Sequence, residues 1–156
     1  MSENLLIRRA NKNDVRPIAE LEKECFRFPW SERSFFEEIT QNKVARYAVA
    51  ERADEIVGYA GIWIVSNEGH ITNVAVNPDS RRKGIARGLF AFLFDISQRE
   101  GVNMYTLEVR VSNEEAIALY KGLNFIECGI RREYYDDTGE DALIMWKDRE
   151  WSNEGR

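Results

Sequence analysis

Two stretches of the chain carry residue types that could do chemistry. The first is "SRRKGIARGLFAFLF", Ser80 to Phe94, which sets Arg81, Arg82, Lys83 and Arg87 around Gly84 and Gly88 before an apolar helical pattern. It follows a strand candidate ending in Val74-Ala75-Val76 and a turn at Asn77-Pro78. A glycine at such a junction lets the main chain approach a ligand closely, and the helix that opens there presents unpaired N–H groups at the positive end of its dipole. That combination is a phosphate site, and the basic side chains add charge for a polyanion. Gly88, one turn on, is expected to keep the rim free of bulk. Neither G-x-x-x-x-G-K-[ST] nor G-x-G-x-x-G occurs in the stretch, which excludes the common nucleotide and dinucleotide loops.

The second stretch is "LEVRVSNEEAIALYKGLNF", Leu107 to Phe125. Tyr105, Leu107, Val109 and Val111 alternate with Thr106, Glu108 and Arg110, the period of a strand with one buried face. Glu108 is then on the polar face, and Tyr120 sits on the helix that follows. A carboxylate and a phenol are a base and an acid by type. Taken alone, the same residues suit an ion pair of Glu108 with Arg110 or another basic neighbour and a core aromatic at Tyr120.

The elements that must position these residues are legible along the chain. Leu5 to Ala10 reads as a strand. Asn13 or Asp14 is expected to cap a helix whose stripe is Val15, Ile18, Leu21 and Cys25. Pro29 ends that helix, and Ser31 caps a second one carrying Phe35, Phe36 and Ile39. Val44–Glu51 and Ile56–Val65 form a hairpin about Ala53–Glu55, and "HITNVAV" supplies the next strand. Ile85, Leu89, Phe92, Leu93 and Ile96 mark a long helix closed by Gly101. Ser112-Asn113-Glu114-Glu115 reads as a capping box, and Phe125–Arg131 and Ala142–Lys147 are the last strands. The order predicts an α/β (α+β) domain over residues 1–150, with helices on both faces of a mixed sheet and a frayed tail at 151–156.

Composition narrows the class. The 156 residues carry a formal net charge of -5, against the basic balance that direct nucleic-acid binding needs. Cys25 and Cys128 are too few for a disulfide framework and lack C-x-x-C spacing, so they read as free thiols. One histidine, His70, leaves no usual material for a metal site or a Ser/His triad; it is expected at a strand edge, and Trp63 in packing. No run approaches a membrane span, and a cytoplasmic protein without membrane or metal partners is the expectation. Nothing in the sequence sets the oligomeric state.

Arg81 to Ala86 reads R-x-x-G-x-A, a variant of the [QR]-x-x-G-x-[GA] pyrophosphate loop, and here the chain resembles the GNAT family of acetyl-CoA-dependent N-acetyltransferases. The string "LEVR-x-SN-x-x-AI-x-LY" is similar to the ribosomal-protein-alanine N-acetyltransferases of the RimI type. "FPWSERSF", "ITNVAV", "RREYY" and "EDALIMW" look like the same subgroup. The resemblance implies the GNAT fold, a mostly antiparallel sheet of about seven strands with about four helices. It implies Glu108 as general base, Tyr120 as general acid and Asn113 as a coenzyme A contact. The donor would be held by Val74, Ala75 and Val76 along the pantetheine, and by Arg81, Arg82, Lys83, Gly84, Ile85, Ala86 and Arg87 at the diphosphate. Phe28, Pro29, Trp30, Tyr134 and Tyr135 fall in loops that flank the acceptor groove of that fold, though Trp30 fits a core anchor equally well.

In that setting a carboxylate and a phenol suit amide formation, since the amine must lose a proton and the leaving thiolate must gain one. Glu108 is expected to need partial desolvation or a relaying water to act as base. Two departures are marked. Ala86 stands where many relatives have glycine, and Asn124 replaces the glycine of "LGF"; asparagine is the next-best residue at a left-handed helix end. The acceptor implied is a protein N-terminal α-amine, an alanine of a small-subunit ribosomal protein, attacked directly in a ternary complex. A small amine or a lysine side chain as acceptor, and a coenzyme A-binding module without turnover, remain alternatives.

Overall fold

The computed structural model describes residues 4–148. In chain order they form β1 (Leu5–Arg9), α1 (Val15–Cys25), α2 (Glu32–Thr40), β2 (Ala45–Arg52), β3 (Glu55–Val65) and β4 (Glu68–Val76). There follow α3 (Ile85–Arg99), β5 (Met104–Arg110), α4 (Glu114–Gly122), β6 (Ile126–Arg131) and β7 (Ala142–Asp148). The strands make one sheet in the order β1-β2-β3-β4-β5-β7-β6. Every pairing is antiparallel except β4 with β5. The mixed, mostly antiparallel sheet with four helices is the expected architecture. The expected tail at 151–156 lies outside the described residues.

Local chemistry sets the boundaries. Ala53 and Asp54 both take left-handed φ, +50° and +63°, the pair that lets a two-residue turn follow the twist of β2 and β3. Ser31 caps α2, its hydroxyl accepting from Ser34 N at 3.1 Å. Asp14 stands at the N-cap of α1, one of the two residues expected there, but its side chain makes no cap bond to that helix. It closes a capping box on the 3-10 turn Lys12–Asp14 instead: the Asn11 side chain accepts from Asn13 N at 2.9 Å, and the Asp14 carboxylate accepts from Asn11 N at 2.8 Å. Asp14 is itself buried and forked by Arg8 of β1. One expected cap moves. At α4 the cap is Asn113, accepting from Ala116 N at 3.1 Å, and not Ser112. The Ser112 N–H is drawn instead to Glu140 at 2.9 Å.

Two apolar clusters sandwich the sheet. On one face Ile85, Leu89, Phe90 and Leu93 of α3 pack with Ile62, Ile71, Leu107, Val109, Met145 and Tyr120. On the other, Val15, Ile18, Leu21 and Phe35 of α1 and α2 pack on Tyr47, Val49, Tyr59 and Ala75. This second cluster draws on β2, β3 and β4 alone, so the far half of that face, on β5, β7 and β6, carries no helix. Val111 does not join the buried alternation: β5 ends at Arg110 and Val111 is exposed. Phe36, on the outer side of α2, is exposed too.

β4 departs from regularity in two ways that matter. Gly61 pairs with Asn73 and Ile62 with Ile71, leaving Thr72 as the extra residue of a bulge. A bulge re-aims the side chains that follow it, and Thr72 and Asn73 stand close enough for Thr72 Oγ1 to donate to Asn73 Oδ1 at 3.2 Å. On its other edge β4 pairs with β5 only over Glu68–His70 against Met104–Thr106. Beyond that the strands part.

Candidate active site

The parting of β4 and β5 opens a cleft of about 410 Å³. Val74, Ala75 and Val76 form one wall, and the turn from Arg81 into α3 forms its floor, with Arg82, Gly84, Ile85, Ala86 and Arg87 all lining it. Asn113 closes it from α4. Lys83 is exposed and does not line the cleft, because the turn directs it to solvent. Cys25 and Phe26, at the end of α1, also line it; no local pattern marks them, because they arrive from about fifty residues away.

The floor has the features of an anion site. Gly84 has φ +78°, and nothing lies within 4 Å of where a Cβ would stand. Gly88 N is the first amide of α3 to find a helical acceptor, Gly84 O at 3.0 Å. The N–H groups of Ile85, Ala86 and Arg87 lack an intrahelical partner and are available to phosphate oxygens. Ala86 lies within the helix, so its methyl carries no backbone strain. Gly88 serves another purpose than the expected clear rim. A Cβ there would meet Ile7 Cδ1 at 2.6 Å, so the glycine lets α3 lie close on β1. Two of the basic residues tie the frame together: Arg81 Nε donates to Val76 O at 3.0 Å, and Arg87 Nη1 to Gly122 O at 3.3 Å. The Cys25 thiol donates to the same Val76 carbonyl at 3.6 Å, and burial pushes its pKa up.

Glu108 stands on the helix-free half of the sheet, its side chain 11% exposed. Its Oε1 is 2.7 Å from His70 Nε2, and its Oε2 is 3.8 Å from Arg131 Nε. The hydrogen bond with His70, then the charges of His70 and Arg131, and the Tyr134 hydroxyl hold its carboxyl below the ordinary 4.5 despite burial. The expected activation by desolvation is therefore outweighed. Its basic neighbours are thus His70 and Arg131 and not Arg110, which pairs with Asp137 at 2.6 Å and stacks 4.0 Å over the Tyr135 ring.

His70 is the functional residue that sequence reasoning misplaced. It is not at a sheet edge but on β4 between β3 and β5, edge-on to Trp63 at 6.3 Å. Only the parallel pairing of His70 with Thr106 brings it beside Glu108, and that pairing joins residues far apart in sequence.

Tyr120 lies on the opposite face of the sheet, in the core cluster, at 5.8 Å from Phe90 and 5.7 Å from Phe125. Burial raises its pKa, with the nearby Tyr135 adding to the shift. Glu108 and Tyr120 thus lie on opposite faces of the sheet, and neither lines the cleft. Among the candidate acceptor residues, Tyr134 is exposed and reaches Glu108, and Tyr135 meets it edge-on at 5.1 Å. Burial pushes Tyr135 up to about 12. Phe28, Pro29 and Trp30 form the loop between α1 and α2, where Trp30 is 37% exposed and packs 5.6 Å from Phe35. Trp30 is both an anchor and a surface. Among the described residues no cluster of histidine, cysteine or carboxylate side chains could hold a metal ion, and no helix is long and apolar enough to cross a membrane.

A sheet whose one parallel pair opens over a phosphate-type helix N-terminus defines a class. Residues 15–125 match the model of the acetyltransferase (GNAT) family, and the chain belongs to that family. The [ribosomal protein bS18]-alanine N-acetyltransferase of Escherichia coli (strain K12) is 38% identical over 136 residues, 85% of this chain and 89% of that one. The N-alpha-acetyltransferase RimI of Mycobacterium tuberculosis is 35% identical, covering 94% of each chain. A crystal structure of the Escherichia coli enzyme superposes with a TM-score of 0.84 at 35% identity, over 93% of this chain and 94% of that one. With such relatives along nearly its whole length, the chain is an N-acetyltransferase, an acyl-transferring enzyme.

Proposed function

We propose that this enzyme moves the acetyl group of acetyl-CoA onto the N-terminal α-amine of a polypeptide, by direct attack with both substrates bound. The observation that carries the reading is the parting of β4 and β5, beyond which a cleft opens over the N-terminus of α3, with Glu108 on one face of the sheet and Tyr120 buried on the other. The donor's diphosphate suits the amides of Ile85, Ala86 and Arg87, and its amide-bearing arm suits the unpaired edge of β4, as an added strand would. A bound thioester supplies an activated acyl carbon; the protein supplies the proton transfers.

Glu108 takes a proton from the acceptor's ammonium, directly or across one water, while His70 holds the carboxylate in place. Nitrogen forms its bond to the acyl carbon as the carbon–sulfur bond breaks. Tyr120, kept protonated by burial, gives its proton to the departing sulfur; the second proton, shed by the acylated nitrogen, restores the phenol, and the proton on Glu108 passes to solvent. A carboxylate held below its ordinary value is a weak base, and a weak base favours an amine that is already partly neutral. An α-amine near 7.7–8.0 meets that condition and a lysine amine near 10.4 does not. The names of the relatives point to alanine at the N-terminus of a small-subunit ribosomal protein as the acceptor, which would place the enzyme in the cytoplasm.

A peptide panel tests this. Alanine-initiated peptides with internal lysines, the same peptides with a blocked N-terminus, and versions changed at the first residue are incubated with acetyl-CoA and mapped by mass spectrometry. The expected product is a single acetyl group on the α-amine of the alanine-initiated peptide. Equal labelling of blocked peptides, on lysine, would transfer the reading to a side-chain acetyltransferase.

A further inference from the structure

The chemistry described above leaves one buried acid unused. Glu22, on the last turns of α1, is 4% exposed. One of its oxygens accepts from the Tyr59 hydroxyl of β3, and the other accepts from the main-chain N–H of Trp30 at 2.9 Å. Around it Phe35 meets Tyr59 at 5.5 Å and Trp30 at 5.6 Å, both as ring contacts. A carboxylate is rarely buried to this degree unless donors satisfy it, and here one of the two donors is the backbone of an otherwise exposed loop. Phe28 and Pro29, just before it, are exposed, and among the described residues Phe28 has only Arg27 against its ring. The Trp30 N–H is thus the point where that loop is tied to the sheet.

We infer that Glu22 is a positioning residue for the acceptor: anchored to Tyr59, it fixes the Phe28–Pro29–Trp30 loop through the Trp30 amide and thereby sets how tightly the acceptor peptide is held. The inference rests on the reading of that loop as an acceptor wall. Three turns of evidence support a role confined to that side. Glu22 does not line the donor cleft, which α1 reaches through Cys25 and Phe26 instead. Its partners lie on β3 and in the loop, on the helix-covered half of the sheet. It makes no contact with Glu108, His70 or Tyr120. Loss of the tie should therefore weaken acceptor binding and leave the proton transfers alone.

Glu22→Leu is the direct test, because it removes both bonds at similar volume; a glutamine could keep both, its carbonyl accepting from Trp30 N and its NH2 donating to the Tyr59 oxygen. Losing a hydrogen bond to a charged group corresponds to about tenfold or more. The expected result is a rise of about tenfold in the KM of an alanine-initiated peptide, with kcat and the KM of acetyl-CoA each changed less than about twofold. Hydrogen exchange, followed by mass spectrometry on the segment containing Trp30, should accelerate in the same variant; this readout is independent of what the acceptor is. Tyr59→Phe, which removes the anchor and leaves the carboxylate, should show the same pattern more weakly and serves if Glu22→Leu does not fold. Unchanged exchange at the loop, or faster exchange with an unchanged acceptor KM, overturns the inference. If the parent enzyme acetylates some other amine and not the peptide, the proposed function falls by itself, and the same KM comparison on that amine decides the role of Glu22.

Discussion

The proposed base is Glu108, and its neighbours define how its carboxyl behaves. His70 is foremost in holding the carboxyl below its ordinary value, so Glu108 stays ionised through the neutral range and its own titration is confined to acid. The pH dependence of kcat/KM near neutrality should then follow the acceptor, rising with the loss of the α-ammonium proton near about 7.7–8.0. Glu108→Gln should lower that plateau by about a hundredfold or more without moving its midpoint, while acetyl-CoA affinity is kept. His70→Ala removes the largest cause of the depression and leaves burial, which acts upward, so the Glu108 carboxyl should titrate at higher pH. Carbon NMR of labelled glutamate reads that shift directly. A Glu108 resonance that titrates unchanged in His70→Ala would separate the histidine from the base.

Among the elements, the turn from β4 into α3 does most to define the donor cleft, and much of it was legible. Gly84 stands at a left-handed φ, which an L side chain adopts only at a cost, and the apolar spacing after it marked α3. Asn124 takes φ +73° at the end of α4, as its residue type suggested. Less legible was anything that depends on a neighbour distant in sequence. The role of Gly88 is set by Ile7, the neighbour of His70 is set by the β4–β5 pairing, and Arg81 and Arg87 turn to carbonyls of the protein itself. The cap of α4 also shifted by one residue, because Asn113 takes the amide that spacing alone assigns to Ser112. The presence of Cys25 in the cleft gives a footprint. Alkylation of Cys25 should slow at least about fivefold at acetyl-CoA well above its dissociation constant, by mass action on the open form, while exposed Cys128 reacts at its parent rate. Equal rates at Cys25 with and without acetyl-CoA would place the donor elsewhere.

At the scale of the whole molecule, the sheet divides the labour. β2 to β4 are covered on both faces, by α3 on one side and by α1 and α2 on the other. β5, β7 and β6 keep one face free of helices, with Glu108 at its inner border, and that asymmetry leaves room for a polypeptide acceptor beside the base. An acidic chain of net charge -5 also favours cationic acceptors at long range. The fold class was readable from the order of strands and helices; the parting of the one parallel pair, on which the proposed catalysis depends, was not, since no local pattern encodes where two strands stop pairing. The most direct measurement is a crystal structure of the enzyme with bound acetyl-CoA. The account predicts diphosphate oxygens on the main-chain amides of Ile85 to Arg87 and the sulfur between β4 and β5, with Glu108 and Tyr120 to either side; a diphosphate bound at any other surface, or a sulfur outside that opening, would contradict it.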